Sequence, residues 1–282
     1  MPEMPEVETM RRNLQRRVEG GKIGAVKIHS PSLRYPFPED FADQLDGTTI
    51  VKIDRRAKFL LLHLDSKMVW VAHLGMTGHF TAVPVAGDGA AGAEPKFLHF
   101  ECVVMSDGRP VRVAYYDQRK FGYMLLVSEA ELDAAAWYQD LGVEPFSAEF
   151  TAARLAEATR GRKTDIKSFL TDQKNVAGVG NAYVCEALWQ AKVRPERPSQ
   201  SLSSAETEAI VTGLKSVLTD AIAAGEASVD RAEPTAGRDG YFDYDYQVYD
   251  REGEPCPRGD GGVVERTASK GRSSFYCPVC QK

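Results

Sequence analysis

The chain has 282 residues, of which 43% are hydrophobic and 27% are charged, and its formal net charge is −5. No apolar run approaches the roughly 20 residues that a membrane-spanning helix needs, and the charged N-terminus has no apolar signal segment. We therefore expect no membrane partner. Five cysteines do not make a disulfide scaffold, which favours a protein of the cytosol. The negative charge argues mildly against a nucleic-acid protein, although five basic and two acidic residues lie between positions 160 and 174.

The first half of the chain is predicted to form one helix followed by short strands. A Pro-containing start followed by helical spacing predicts a helix over residues 5–18. Runs rich in Val, Ile and Leu, separated by charged or Gly-containing turns, predict strands over residues 25–29, 49–53, 59–64, 68–72, 99–105, 111–115 and 123–127. The stretch 82–95, rich in Gly and Ala, predicts a mobile loop.

The second half of the chain has helical character. Apolar spacing predicts helices over residues 152–160, 164–172, 182–191 and 204–224, the last capped by Ser203 or Ser204. Residues 241–282 return to strand-like patterning. The sequence therefore predicts an α+β protein. We expect a β-rich domain over 1–140, a linker over 141–150, a helical domain over 151–234 and a C-terminal segment over 235–282.

The second residue carries the most chemical information. A small residue after Met1 is the usual cue for removing that methionine, which would leave Pro2 with a free secondary amine. An α-amino group titrates near pH ~8, so a useful fraction is neutral and can attack a sugar C1′ to form an iminium. Glu3 could move the protons that such a reaction requires. The alternative is a simple helix start, because Pro and acidic residues both suit the first helical turn.

Several motifs accompany this start, in the order Arg55-Arg56-Ala57-Lys58-Phe59-Leu60, His73-Leu74-Gly75-Met76-Thr77-Gly78, Gly178-Val179-Gly180-Asn181-Ala182-Tyr183 and a Cys-bearing tail. Together they resemble the bacterial formamidopyrimidine-DNA glycosylase family, whose members repair oxidised purines by base excision. The resemblance extends over the whole chain. It implies an N-terminal helix with an antiparallel β-sandwich, a helix-two-turn-helix domain and a β-hairpin tail like a zinc finger, with DNA in the cleft between the halves.

The resemblance also implies an activity and its catalytic residues. The protein would be a monomeric glycosylase and AP lyase, acting on double-stranded damaged DNA in the bacterial cytosol. Pro2 would attack C1′ of a nucleotide carrying 8-oxoguanine or a formamidopyrimidine, while Glu3 manages the protons. Successive β- and δ-elimination would then cleave the strand. Lys58 and Arg272 would assist through the phosphates beside the lesion.

Three residues on two loops are candidates for filling the hole that a flipped base leaves in the duplex. Met76 and Phe121 could restore stacking, while Arg119 could donate to the orphaned base. The family uses the corresponding residues in this way, and Gln118 and Lys120 depart from its usual Pro and Arg. Further DNA contacts are implied for His73, His99, Arg162, Lys167 and Asn181. For His73 a satisfied core histidine is the alternative, and Asn181 is placed to cap the helix that follows.

The C-terminal tail departs from the family pattern. The family has a four-cysteine zinc site, whereas this chain offers Cys256, Cys277 and Cys280 and has Gly259 where a cysteine is expected. Zn²⁺ could bind through three thiolates with Asp260 or water as the fourth ligand. Alternatively the hairpin holds without metal, as in the family's zincless relatives. Residues 230–246 could form a loop that closes over an extruded base.

Two other functions stay open at this stage. One is the endonuclease VIII branch, which uses the same nucleophile on oxidised pyrimidines. The other is a lesion-binding protein without catalysis. Met4, Arg119 and Phe121 favour the purine branch, and the Pro2-Glu3 pair favours catalysis.

Overall fold

The structure is a computed structural model, and it describes residues 2–85, 96–229, 244–269 and 271–282. Most of the predicted mobile loop (86–95) and of the expected base-covering loop (230–243) lies outside the described residues. The chain divides into two compact units. The first holds the chain through Gln139 and the end of the last long helix from Gly225, and the second holds Asp140–Ala224 and the chain from Tyr244 to Lys282.

The elements confirm the predicted α+β class. The described helices are α1 (Met4–Val18), α2 (Phe41–Leu45), α3 (Glu129–Ala134), α4 (Ala136–Gln139), α5 (Ala152–Thr159), α6 (Ile166–Thr171), α7 (Asn181–Gln190) and α8 (Ser204–Val229). The described strands are β1 (Lys22–Ile28), β2 (Ile50–Arg56), β3 (Phe59–Leu64), β4 (Met68–His73), β5 (His79–Pro84), β6 (Leu98–Ser106), β7 (Arg109–Tyr116), β8 (Tyr123–Ser128), β9 (Glu265–Ser269) and β10 (Arg272–Tyr276). None of these helices is long and apolar enough to cross a membrane.

The first unit is built on two antiparallel four-stranded sheets. Their strand orders are β1-β6-β7-β5 and β2-β3-β4-β8. One buried apolar cluster draws side chains from both sheets and from α1, including Leu14, Leu62, Trp70, Phe100 and Val113. Because the two sheets share this core, the unit is the predicted β-sandwich.

The helix α1 buries one apolar stripe against the sandwich. Val7, Met10, Leu14 and Val18 recur at helical spacing and are all buried. At its start the Glu3 backbone N–H donates to a carboxyl oxygen of Glu6 at 2.8 Å. Pro2 and Glu3 therefore lie directly before the first turn of a helix that is held by its own apolar face.

Strand β5 differs from the prediction, which starts the mobile loop at residue 82. It pairs with β7, and Pro84 lies opposite Val111. Because β5 is at the edge of its sheet, a proline removes no hydrogen bond on the free side. The Gly- and Ala-rich sequence that follows hides the strand pattern. The short helices α2, α3 and α4 are also not predicted, since so few residues carry little periodicity.

The second unit combines α5, α6, α7 and most of α8 with the β9–β10 hairpin. Ser203 caps α8 as predicted, because its hydroxyl accepts from the Glu206 N–H at 3.3 Å and the Glu206 carboxylate accepts from the Ser203 N–H at 2.8 Å. The predicted cap of α7 is wrong. Gly180 takes that position, and the Asn181 side chain donates instead to the Ser273 carbonyl oxygen at 3.0 Å.

Candidate active site and nucleic-acid interface

The two residues before α1 are the candidate nucleophile and the candidate proton-transfer group. Pro2 is partly exposed, whereas Glu3 is only 3% exposed. The partial positive charge at a helix N-terminus favours a carboxylate at this position. Once Met1 is removed, Pro2 would present a partly exposed secondary amine next to a buried carboxyl group, which is what amine catalysis with proton transfer requires.

Lys58 lies on the turn between β2 and β3, and Arg55 ties this turn to α1. The Arg55 Nε donates to Glu8 Oε2 at 3.1 Å, and its Nη1 donates to the carbonyl oxygen of Ala57 at 2.8 Å. Burial alone would raise the pKa of Glu8, but hydrogen bonds from neighbouring arginines outweigh burial and lower it. An ionised Glu8 therefore links the helix that carries Pro2 to the turn that carries Lys58.

We expect Glu8→Gln to lower the free energy of unfolding by about 1–3 kcal/mol at neutral pH, because it leaves partly buried arginines facing a neutral acceptor. The folded pKa of Glu8 lies below its ordinary value of 4.5. The stabilisation is therefore present above the unfolded pKa and is lost as the pH falls through the folded pKa. Urea unfolding of both proteins from neutral to acidic pH measures this, with exposed Glu39→Gln as the control. A gap that stays constant at low pH would contradict the ionic link.

His73 lies at the end of β4, and its environment keeps it neutral. Its ring stacks on Tyr123 with centroids 5.1 Å apart, and its Nδ1 accepts from the Gly75 N–H at 3.1 Å. Burial, with repulsion from Lys58 and Arg34, lowers the pKa of His73 to about 4. Because Nδ1 is an acceptor, the ring proton is on Nε2. His73 can therefore offer a phosphate a neutral N–H donor.

The structure brings the three hole-filling candidates together on adjacent loops, residues 75–78 and 117–122, which we call the wedge loops. Phe121 is 43% exposed, and the Arg119 guanidinium lies 4.7 Å from the centre of its ring. Met76 is partly exposed. Gly75 has φ +66°, and a Cβ there would lie 2.3 Å from the backbone nitrogen of Gly122. The wedge loops therefore touch backbone to backbone, which only glycine permits.

The structure places His99, an expected DNA contact, inside the sandwich. It is buried in β6, and its Nε2 lies 2.8 Å from the carbonyl oxygen of Asp117. Burial lowers its pKa, so the ring is neutral at physiological pH. The ring exposes little surface in this structure, and its contact with DNA stays a prediction. His99 supports the 117–122 loop from within.

In the second unit, the turn before α7 is held by a residue that the sequence did not single out. Gln173 accepts from the Gly178 N–H at 2.8 Å and donates to the Val179 carbonyl oxygen at 2.7 Å. Gly178 has φ +82°, a conformation that favours glycine. A polar residue in a turn has no periodic signal, so only its contacts identify this role. Arg162, three residues after the end of α5, is exposed.

The structure also places Lys167, an expected phosphate contact, at a buried position. It is 3% exposed, and its Nζ donates to the Ser273 carbonyl oxygen at 2.6 Å and to Ser274 Oγ at 2.8 Å. Burial lowers its pKa. The Asn181 side chain donates to the same Ser273 carbonyl. Both residues therefore anchor the hairpin on which Arg272 begins β10, exposed to solvent.

A buried carboxylate, Glu186 on α7, holds the chain that follows residues 230–243. Its oxygens accept from the backbone N–H groups of Gln247, Val248 and Tyr249 at 2.8–2.9 Å. Burial raises its pKa, although these three hydrogen bonds oppose that rise. Nothing in the sequence marks Glu186 for this role, since a glutamate in a helix is usually a surface residue.

The three tail cysteines and Asp260 form one cluster. Their ligand atoms all lie within 4.8 Å of one another, and Cys256 Sγ is 3.3 Å from an Asp260 oxygen. Tetrahedral Zn²⁺ with Zn–S of about 2.3 Å separates its ligand atoms by roughly 3.5–4 Å. Gly259, at φ +66°, permits the turn that brings Asp260 to the thiols. The residues present fit a four-coordinate metal.

Comparisons with known proteins agree with this arrangement. The family model for the formamidopyrimidine-DNA glycosylase N-terminal domain matches residues 1–124, and the model for the H2TH domain of the same family matches residues 141–232. The chain is 45% identical to the formamidopyrimidine-DNA glycosylase of Phenylobacterium zucineum and 42% identical to that of Rhizobium leguminosarum, each over the full length of both chains.

Solved structures give the same result. The Lactococcus lactis Fpg in complex with abasic-site DNA superposes with a TM-score of 0.85 at 30% identity, covering 99% of both chains. The same protein with DNA containing Fapy-dG superposes with a TM-score of 0.83 at 30% identity, covering 99% of this chain and 100% of that one. The chain therefore belongs to the formamidopyrimidine-DNA glycosylase family of base-excision repair enzymes.

Proposed function

We propose that this protein excises oxidised purines, 8-oxoguanine and formamidopyrimidines, from double-stranded DNA and cleaves the strand at the resulting abasic site. The observation that carries the proposal is the arrangement of residues at the start of α1. There the partly exposed Pro2 stands next to buried Glu3, and Glu8 and Arg55 connect the helix to the Lys58 turn.

In the proposed chemistry, the lone pair of the neutral Pro2 nitrogen forms a bond to C1′ of the extruded nucleotide. The glycosidic bond breaks, and its electrons leave with the base, which takes up a proton. Glu3 protonates the sugar ring oxygen or manages the protons at the amine, so that the ring opens to an iminium. The iminium acidifies C2′–H, so loss of that proton expels the 3′ phosphate. A second elimination expels the 5′ phosphate, and water then releases Pro2.

The remaining residues bind the duplex in this proposal. Lys58, Arg162 and Arg272 contact phosphates, His73 donates a neutral N–H, and the wedge loops fill the hole. Phosphate contacts set register without reading sequence. We also propose that the protein acts as a monomer, because one chain carries all of these groups. The proposed place of action is the bacterial cytoplasm. Light scattering with and without DNA tests the monomer.

Borohydride trapping tests the function and separates the alternatives. We expect a covalent adduct on a duplex with 8-oxoguanine opposite cytosine, and little on one with thymine glycol. An adduct only with thymine glycol would move the protein to the endonuclease VIII branch. Tight binding without any adduct, in a protein whose Pro2 is free, would leave a lesion-binding protein.

We propose further that the tail holds one structural Zn²⁺ through Cys256, Cys277, Cys280 and Asp260. The distances within the cluster support this donor set. A carboxylate oxygen stands one bond farther from Cβ than a cysteine sulfur does. This extra reach compensates for the ligand's position one residue beyond the usual cysteine. When bound, the ion would cross-link the two turns without joining the reaction.

We expect Asp260→Ala to weaken zinc binding by at least about tenfold, because structural zinc sites have four ligands. Competition with a chromophoric chelator measures the affinity, and visible absorption of the Co²⁺-loaded protein reports the coordination. Asp250→Asn, on the same segment but outside the cluster, is the control. Unchanged affinity in Asp260→Ala would assign the fourth position to water, and a wild-type protein that takes up no metal would support the metal-free hairpin.

A further inference from the structure

The wedge loops are joined by one buried carboxylate, that of Asp117, which is 0% exposed. Its Oδ1 accepts from the Thr77 hydroxyl at 2.5 Å and from the Arg119 N–H at 3.2 Å. Its Oδ2 accepts from the Gly122 N–H at 2.8 Å. The Thr77 hydroxyl oxygen in turn accepts from the Arg119 N–H at 3.0 Å. Asp117 thus holds the loop of Met76 and both ends of the Arg119–Phe121 segment.

The glycines around this carboxylate leave the loops no room to shift independently. A Cβ on Gly78 would lie 2.1 Å from the Tyr115 hydroxyl oxygen, and one on Gly122 would lie 1.9 Å from the same atom. That hydroxyl lies 3.4 Å from Asp117 Oδ2. Close packing around a shared set of hydrogen bonds makes the two loops one rigid part.

A buried carboxylate is costly unless its hydrogen bonds are made. In the described part of the chain, the hydrogen bonds to the Asp117 side chain come from neutral N–H and O–H groups. Each of these donors belongs to a wedge loop or to the strand beneath it. A wedge must hold its side chains at fixed positions to replace an extruded nucleotide, so rigidity at this point has a direct use.

We propose that Asp117 is a positioning residue for lesion recognition. By holding Thr77, Arg119 and Gly122 together, it sets the spacing of the Met76, Arg119 and Phe121 side chains. It thereby controls how the hole is filled and how the opposite base is read. This inference rests on the proposed function, in which these three side chains enter the duplex.

The test uses two variants and a matched control. Asp117→Asn keeps the shape of the side chain but turns an N–H₂ group toward one of the groups that now donate to the carboxylate. Thr77→Val removes only the hydroxyl that donates to Asp117. Thr81→Val makes the same change at a buried position of β5, outside the wedge loops. We expect single-turnover excision of 8-oxoguanine from a duplex to fall about 10–100-fold in Asp117→Asn, and less in Thr77→Val. The ratio of the excision rate opposite cytosine to that opposite adenine should decrease in both variants.

Trapping on a single-stranded abasic oligonucleotide separates positioning from general damage, since it has no opposite strand and no hole to fill. There both variants should match the wild type and Thr81→Val within about twofold. Equal losses on the single strand and the duplex, or no loss on the duplex, would overturn the inference.

A readout without chemistry keeps this inference distinct from the proposed function. A 2-aminopurine placed opposite a tetrahydrofuran abasic analogue changes its fluorescence when the wedge displaces it. We expect that change in the wild type and a smaller one in Asp117→Asn. If the wild type gives the fluorescence change but no covalent adduct, the proposed chemistry fails and the positioning role stands. An unchanged signal in Asp117→Asn would refute the positioning role.

Discussion

Protein that retains Met1 is expected to lose at least about a thousandfold in the single-turnover rate of 8-oxoguanine excision. The peptide bond to Met1 would convert the Pro2 nitrogen into an amide, which has no lone pair available to attack C1′. Mass spectrometry of the purified protein shows whether Met1 is removed. A version with an N-terminal extension that blocks Pro2, assayed beside the processed protein, gives the rate ratio.

Two variants separate the amine from the helix start. Pro2→Gly replaces the secondary amine with a primary one on a freer backbone, so borohydride trapping should weaken. Pro5→Ala alters the first turn of α1 but leaves the amine, and it should retain most of the activity. Full activity in the blocked protein would refute the role of the Pro2 nitrogen as the nucleophile, and full activity in Pro2→Gly would show that the secondary amine of proline is not required.

Glu3→Gln is expected to lower the rate of base excision by about 10²–10⁴-fold, the usual worth of a general acid or base. The amide has the size of the carboxyl group but moves no proton at physiological pH. Glu3 is 3% exposed, so bulk water is poorly placed to replace it. Trapping on an abasic site formed in advance should be less affected, because no base has to depart.

The control for this prediction lies one helical turn further along. Glu6→Gln keeps an oxygen to accept from the Glu3 N–H, which now bonds to the Glu6 carboxylate at 2.8 Å. We expect excision by Glu6→Gln to stay close to that of the wild type. Comparable losses in the two variants would mean that the substitutions disturb the start of α1 and that Glu3 has no special part in proton transfer.

The local sequence pattern was sufficient to predict most of the helices and strands. It failed where the tertiary context decides the conformation of a segment or the partner of a side chain. Strand β3 has the predicted bounds, and the Ser203 cap follows from residue type and spacing. Strand β5 was partly assigned to a loop because its edge position, which tolerates Pro84, is not a local property. Asn181 looked like a cap, yet its side chain bonds to a hairpin 92 residues away.

The candidate site divides in the same way. Residue identity and spacing along the chain were sufficient to select the Pro2-Glu3 pair, Phe121 and the metal-ligand candidates of the tail. The resemblance implies DNA contacts for Lys167 and His99, but a charge or a ring in a sequence carries no information about its depth, and both side chains are buried in this structure. The role of Asp117 has no signal in the sequence, since it depends on backbone and hydroxyl groups that only the fold brings to its carboxylate.

By itself, the sequence determined the family, the α+β class, the candidate nucleophile with its neighbouring acid, and the cysteines of the tail. Those properties follow from which residues are present and from short-range spacing. Only the tertiary structure decided that Lys167 anchors a hairpin, that Glu8 reaches Arg55 and that Asp117 joins the wedge loops. Each of these depends on burial and on partners distant in sequence. Such contacts form only when packing removes water and leaves a polar group to find its hydrogen bonds inside the protein.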